Sequence, residues 1–163
     1  MVNDMDEGMI RLASALDSED MIGLTRSFVE DIKIGLKSTN RELLPWLSEI
    51  DKGWSGVLFI GMGGSAASGD FISTLADYEG AVPIRCHRGY DLPNWWTQDW
   101  LVVATSYSGN TEETLSACEQ AMSQDATIVV ISSGGILSGM CELSDSMYLI
   151  SCPGGQPPRS AFG

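Results

Sequence analysis

Two short Ser/Gly-rich turns constrain this chain more than anything else in it. Each closes an apolar run and opens a helical pattern. Gly61-Met62-Gly63-Gly64-Ser65 follows Val57-Leu58-Phe59-Ile60, and Ser106-Tyr107-Ser108-Gly109-Asn110-Thr111 follows Leu101-Val102-Val103-Ala104. A short apolar run bounded by such a turn reads as a buried strand. When the turn leads into a helix, it aims backbone N–H groups and the positive end of the helix dipole outward. Glycines admit a ligand close to the backbone, and hydroxyls add donors without adding charge. Such a turn suits a phosphate, and two of them in one small sheet imply a sugar-phosphate pocket.

The rest of the chain fits that frame. From Ser55 onward, strand-like runs at 57–60, 82–87, 101–105, 127–132 and 147–151 alternate with helical patterns at about 64–78, 110–123 and 135–143. Apolar strands alternating with helices predict a three-layer α/β/α sandwich built on a five-stranded parallel sheet. The connection 88–99 carries Gly89, Pro93 and the Trp95-Trp96 pair and reads as a loop. Ahead of this region, residues 6–16 and 19–37 read as helices, with a shorter helical piece at about 41–50 around Pro45. In the second of these, Ile22, Leu24, Phe28, Val29, Ile32 and Leu36 recur at roughly helical spacing, and Ser18-Glu19-Asp20 offers a capping start. With no strand before them, these helices are expected to form an N-terminal arm lying across the core or a partner subunit. The expected division is an arm over 1–52, an α/β domain over 53–152, and the start of a linker over 153–163.

Composition narrows the function classes. The 163 residues are 44% hydrophobic, about one domain with a real core. A net charge of −13 opposes nucleic-acid binding, in which Lys and Arg neutralise phosphates. No apolar run approaches the roughly 20 residues of a membrane helix, and the acidic MVNDMDEGMI start lacks a signal-peptide pattern. A cytoplasmic protein is expected. Cys86, Cys118, Cys141 and Cys152 form no C-x-x-C pair and read as reduced, structural thiols. His87 is the only histidine, and no metal-ligand spacing accompanies it, so no metal is expected.

The first turn comes near a dinucleotide fingerprint without matching it. The acidic residue that would hold a ribose after the next strand is absent; Arg85, Cys86, His87 and Arg88 stand there. No organic cofactor is expected. The second turn is more specific, because Ser106, Ser108 and Thr111 put three hydroxyls within six residues. Asn110 or Thr111 is expected to cap the following helix, and Glu112 and Glu113 fall in its first turn, where the dipole favours them.

The string Ser106-Tyr107-Ser108-Gly109-Asn110-Thr111-Glu112-Glu113-Thr114 resembles the signature of sugar isomerase (SIS) domains, which have a flavodoxin-like sheet. Three further segments narrow the resemblance to the bifunctional phosphoglucose/phosphomannose isomerases: Gly61 to Ser65, Arg88-Gly89-Tyr90-Asp91-Leu92-Pro93, and Gly154-Gly155-Gln156-Pro157-Pro158-Arg159. The similarity covers roughly 55–163. It implies that Ser106, Ser108 and Thr111 hold a sugar 6-phosphate, that Gly63, Gly64 and Ser65 lie alongside the sugar, and that Arg159 is catalytic. A fixed guanidinium suits the enediolate-like species of aldose–ketose isomerisation, since it stabilises charge that develops only in that step. The implied enzyme is an intramolecular oxidoreductase interconverting glucose 6-phosphate or mannose 6-phosphate with fructose 6-phosphate, acting as a homodimer.

The departures count too. Such enzymes carry two SIS domains, with the catalytic glutamate and ring-opening histidine outside the part that matches here. The expectation is therefore a substrate-binding half, truncated and inactive alone. His87, mid-strand beside Cys86, reads as a packed or surface histidine, and Arg85 and Arg88 as a solvated strand edge. Trp95, Trp96 and Trp100 read as domain or dimer packing ahead of sugar stacking. Two alternatives stay open: a non-catalytic sugar-phosphate-binding module, and a compact single-domain SIS isomerase for heptose or pentose phosphates.

Overall fold

A computed structural model describes residues 2–80 and 82–156. Two compact units divide at Ser38 and Thr39. The first holds α1 (Val2–Leu16) and α2 (Met21–Ser38). The start of α2 is capped differently from the sequence expectation. The Asp17 carboxylate, not Ser18, Glu19 or Asp20, accepts hydrogen bonds from the backbone N–H groups of Met21 (2.7 Å) and Ile22 (2.8 Å). Asp20 instead turns the chain with a left-handed φ of 50°, which an aspartate tolerates.

The second unit runs α3 (Trp46–Glu49), β1 (Gly56–Gly61), α4 (Gly63–Glu79), β2 (Ile84–His87), β3 (Trp100–Thr105), α5 (Glu112–Met122), β4 (Ile128–Ser132), α6 (Gly135–Glu142) and β5 (Met147–Ser151). The five strands form one sheet in the order β2-β1-β3-β4-β5, with every pairing parallel. Both the fold class and the strand count follow the sequence reading.

Alternate residues of each strand face opposite layers. Leu58, Ile60, Val102, Ala104, Ile128 and Val130 point to one side, where they bury Ala117, Cys118 and Ala121 of α5 and Leu137 of α6. Val57, Phe59, Leu101, Val103, Val129, Ile131, Tyr148 and Ile150 point to the other, where Trp46 and Ile50 pack on them. Trp46 stacks on Tyr148 at 5.0 Å, so the short helix at Pro45 belongs with the sheet layer and not with α1 and α2. On the same face α4 lies close to β1 and β2 because Gly69 has no Cβ; one there would meet the Phe59 Cβ at 2.8 Å and the Cys86 sulfur at 3.0 Å.

The strand order creates the site. The chain leaves β1 toward β2 on one side and resumes with β3 on the other, so the connections after β1 and β3 diverge. A crevice at the carboxyl ends of these two strands follows from that topology.

Candidate functional site

The two Ser/Gly turns open at the same level of the sheet, since Gly61 is the Cα partner of Thr105 across the β1–β3 ladder. A hydroxyl fastens them together. Thr105 Oγ1 donates to the Ser65 carbonyl in the first turn of α4 at 2.7 Å. Gly61 makes this possible, because a Cβ there would lie 2.6 Å from Thr105 Oγ1. Gly63 then starts α4 with a φ of +51°, a left-handed conformation that glycine adopts without strain. Met62 at the N-cap contributes no side-chain hydrogen bond. The first-turn N–H groups of α4 therefore point to the crevice without a capping side chain.

The second turn is tied from within. Ser106, only 2% exposed, has its Oγ 2.9 Å from Thr111 Oγ1, and it accepts the Gly109 N–H at 3.1 Å. Ser108 is exposed and accepts the Asn110 N–H at 3.2 Å. Thr111 is the N-cap of α5 but makes no capping hydrogen bond, because its hydroxyl faces Ser106. Asn110 does cap a helix, but not the expected one. Its Oδ1 accepts the Ile136 N–H at 3.1 Å, in the first turn of α6.

That contact separates the third strand–helix turn, Ser132 to Gly135, from the first two. It is also rich in Ser and Gly, yet its donors are engaged by protein. Leu137 N–H reaches the Gly109 carbonyl at 2.9 Å, Ser133 N–H the Tyr107 carbonyl at 3.1 Å, and Gly134 N–H the Ser132 hydroxyl at 3.3 Å. This turn is a buttress for residues 106–111. The fit is close: a Cβ on Gly109, whose φ is +68°, would overlap the Gly134 carbonyl, and one on Gly135 would overlap the Ser108 carbonyl.

The charged side chains around the crevice are committed elsewhere. Arg88 pairs with Asp70, and this ion pair holds the Asp70 carboxyl below its usual range and raises Arg88. Arg85 lies 3.5 Å from Asp77, and His87 Nε2 lies 2.6 Å from the Asp91 carbonyl. Glu112 accepts the Tyr90 hydroxyl at 3.3 Å. The negative charges of Glu113, first, and Glu112 help to push the Tyr90 phenol up. That loop is fastened to α5 by Gln120, whose amide donates to the Tyr90 carbonyl (2.9 Å) and accepts the Leu92 N–H (3.1 Å). Sequence reasoning missed Gln120 because nothing local marks a helix-surface glutamine as a loop anchor.

The tryptophans divide by position. Trp96 is buried in the α5-side core, and the Trp95 ring packs at a tilt against Trp100 with centroids 5.0 Å apart. Trp100 begins β3, beside Gly56, so five strand residues at about 3.3 Å each separate it from the hydroxyl turn. A sugar held at Ser106 does not reach the Trp95–Trp100 pair. Arg159 lies outside the described residues. Among those described, no group of three or more His, Cys, Asp and Glu side chains converges to hold a metal, and no helix is long and apolar enough to cross a membrane.

No protein-family model matches the chain. A bifunctional phosphoglucose/phosphomannose isomerase of Caldicellulosiruptor bescii is 40% identical over 115 residues, which cover 71% of this chain and 32% of that protein. The chain is homologous to the bifunctional phosphoglucose/phosphomannose isomerases. It matches about a third of the length of these relatives. The fold of this isomerase homologue is SIS-like. It superposes on tagatose-6-phosphate ketose/aldose isomerase from Escherichia coli with a TM-score of 0.62, at 19% identity, over 84% of this chain and 42% of that one. The Vibrio vulnificus NanR protein complexed with ManNAc-6P gives a TM-score of 0.57 at 19% identity, over 94% of this chain and 58% of that one.

Proposed function

We propose that this chain is the sugar-phosphate-binding half of an aldose–ketose isomerase acting on glucose 6-phosphate or mannose 6-phosphate and fructose 6-phosphate. The observation that carries this reading is the pair of uncapped helix N-termini, α4 and α5, opening side by side at the switch point of the sheet. A 6-phosphate dianion seated there takes hydroxyl donors from Ser106, Ser108 and Thr111, with backbone N–H groups at the start of α5. Ser106 and Thr111 already share one proton between two oxygens, so the pair has a second hydroxyl hydrogen to offer an anion. Gly63 and Gly64 present backbone without side chains, and Ser65 adds a hydroxyl, which suits a sugar ring passing close to α4.

The chemistry beyond binding is a proton moved between C2 and C1 of the open-chain sugar through a cis-enediol(ate). Arg159 is the group proposed to stabilise the charge that builds on the enediolate oxygens. Glu112 and His87 are hydrogen-bonded to the 88–92 loop, and the proton-transferring base is assigned outside the described residues. A second reading, a sugar-phosphate-binding module without catalysis, is favoured by the likeness to NanR complexed with ManNAc-6P.

Fructose 6-phosphate in phosphate-free buffer is expected to raise the melting temperature of the chain. Ser108→Ala combined with Thr111→Ala should remove most of the rise. No stabilisation of the wild-type chain by millimolar ligand overturns the site. An isomerase assay on the same sample separates the two readings only if it is positive; turnover by this chain alone means that the base is misassigned.

A further inference from the structure

β3 ends on two buried hydroxyls in a row, Thr105 and Ser106. Successive residues of a strand point to opposite faces, so the two serve different helices. Ser106 reaches the hydroxyl of Thr111, the N-cap of α5, at 2.9 Å. Thr105 reaches the other way, and its Oγ1 donates to the Ser65 carbonyl in the first turn of α4 at 2.7 Å. The Ile60 carbonyl of β1 lies 3.3 Å from the same oxygen. A threonine hydroxyl has a single proton, so the shorter contact holds it.

One side chain thus stands where β1, β3 and α4 meet. The junction is tight. A Cβ at Gly61 would lie 2.6 Å from Thr105 Oγ1, 2.9 Å from the Thr105 carbonyl oxygen and 3.3 Å from the Ser65 carbonyl carbon. Within the first turn, Met62 at the N-cap makes no side-chain hydrogen bond, and Gly63 enters α4 at a φ of +51°. A glycine there has other conformations open to it. The start of α4 is therefore indexed to the hydroxyl turn by a side chain of the neighbouring strand, 40 residues away in sequence.

We propose that Thr105 is a positioning residue: it sets the α4 N-terminus against the α5 N-terminus, and with it the preference of the crevice for a sugar phosphate over a bare phosphate ion. The proposal rests on the sugar-phosphate reading above and adds to it a residue that touches no substrate atom. A phosphate ion needs the Ser106–Thr111 turn alone. A sugar phosphate anchored in that turn also needs Gly63, Gly64 and Ser65 at a fixed reach, and the Thr105–Ser65 bond fixes that reach. A contact surface that has to be ordered on binding costs affinity that a preset one does not.

The test measures binding of inorganic phosphate and of fructose 6-phosphate by calorimetry in wild type, Thr105→Val, Thr105→Ala and Thr105→Ser. A thermal melt of each variant checks that it folds. Valine removes the donor and keeps the bulk, and alanine removes the donor without a methyl in its place. In both, the Ser65 carbonyl retains the Ser68 hydroxyl at 3.2 Å, so no acceptor is stranded. Serine keeps the donor and loses only the methyl. Thr105→Val and Thr105→Ala are expected to leave the phosphate affinity within about twofold and to weaken fructose 6-phosphate about tenfold, the size of one ordinary hydrogen bond. Thr105→Ser should bind both ligands as wild type does. A merely structural role lowers the melting midpoint but leaves the ratio of the two dissociation constants unchanged, and that result overturns the proposal. Equal loss of both ligands makes Thr105 part of the anion turn and overturns it too. Loss with valine alone assigns the effect to crowding, and loss that serine fails to restore assigns it to packing; either overturns the role of the hydroxyl. Wild type that binds phosphate and fructose 6-phosphate equally well keeps the anion site and overturns the second contact surface. Failure of wild type to bind either ligand overturns the sugar-phosphate reading, and this proposal with it.

Discussion

Single side chains at both ends of the sheet show how much depends on partners distant in sequence. At the start of β3, Asp99 accepts hydrogen bonds from the Ser55 and Thr97 hydroxyls, and its backbone carbonyl accepts the Ser55 N–H at 3.0 Å, so it holds β1 and β3 in register. The Ser55 contact first, then Thr97, hold its carboxyl below the usual range. A carboxylate with a depressed folded pKa stabilises the fold above its unfolded value of about 3.9, and that contribution fades as pH falls through the folded value. Asp99→Asn should therefore lower the thermal midpoint slightly at pH 7, and the gap should close on acidification below about pH 3.9. A gap that persists unchanged to pH 2 would show that the ionised form is not what the hydroxyls prefer. The hydroxyl turn was legible in the sequence because Ser106, Ser108 and Thr111 are neighbours in it. Thr105, Gln120 and Asp99 were not, because each acts on backbone or hydroxyls that only the folded sheet brings near.

At the level of elements, the alternation of strand, turn and helix was readable because each helix packs back on the strand that precedes it. Observed strands such as Gly56–Gly61 and Met147–Ser151 lie within a residue of the apolar runs. Helix caps were less readable. Asx residues bond whichever orphan N–H lies within reach, and the sequence ranks only local ones. The sequence offers Asn110 or Thr111 as the cap of α5; Thr111 holds that N-cap position, whereas Asn110 caps α6, whose first turn lies 26 residues further along the chain. Asn110→Ala should consequently cost about 1 kcal/mol of unfolding free energy in denaturant titration. Its effect should appear in amide exchange at Ile136, not at the start of α5. Faster exchange confined to Glu112 and Glu113 would restore the local cap. The same interlock makes the third Ser/Gly turn a support: the N–H groups of Ser133, Gly134, Ile136 and Leu137 are bonded within the protein.

For the whole molecule, the tension lies between a site proposed for a dianion and a chain with a net charge of −13. Under the proposed function, attraction within the crevice comes from hydroxyls and helix dipoles, which act over a few ångströms. Over longer distances the protein repels the same ligand, and that repulsion is what salt screens first, with a Debye length that shrinks from about 30 Å at 0.01 M to about 10 Å at 0.1 M. Binding of a sugar phosphate should therefore tighten as sodium chloride rises across that range. A site lined by unpaired lysines and arginines behaves the other way, because salt there screens attraction. Among the described residues, Arg85 and Arg88 of the β2 end of the sheet are paired with Asp77 and Asp70. Fructose 6-phosphate titrations by calorimetry at both salt concentrations decide the point. A dissociation constant that falls with salt supports a dipole-held anion, and one that rises by tenfold or more means that a free cation, Arg159 foremost, supplies most of the binding.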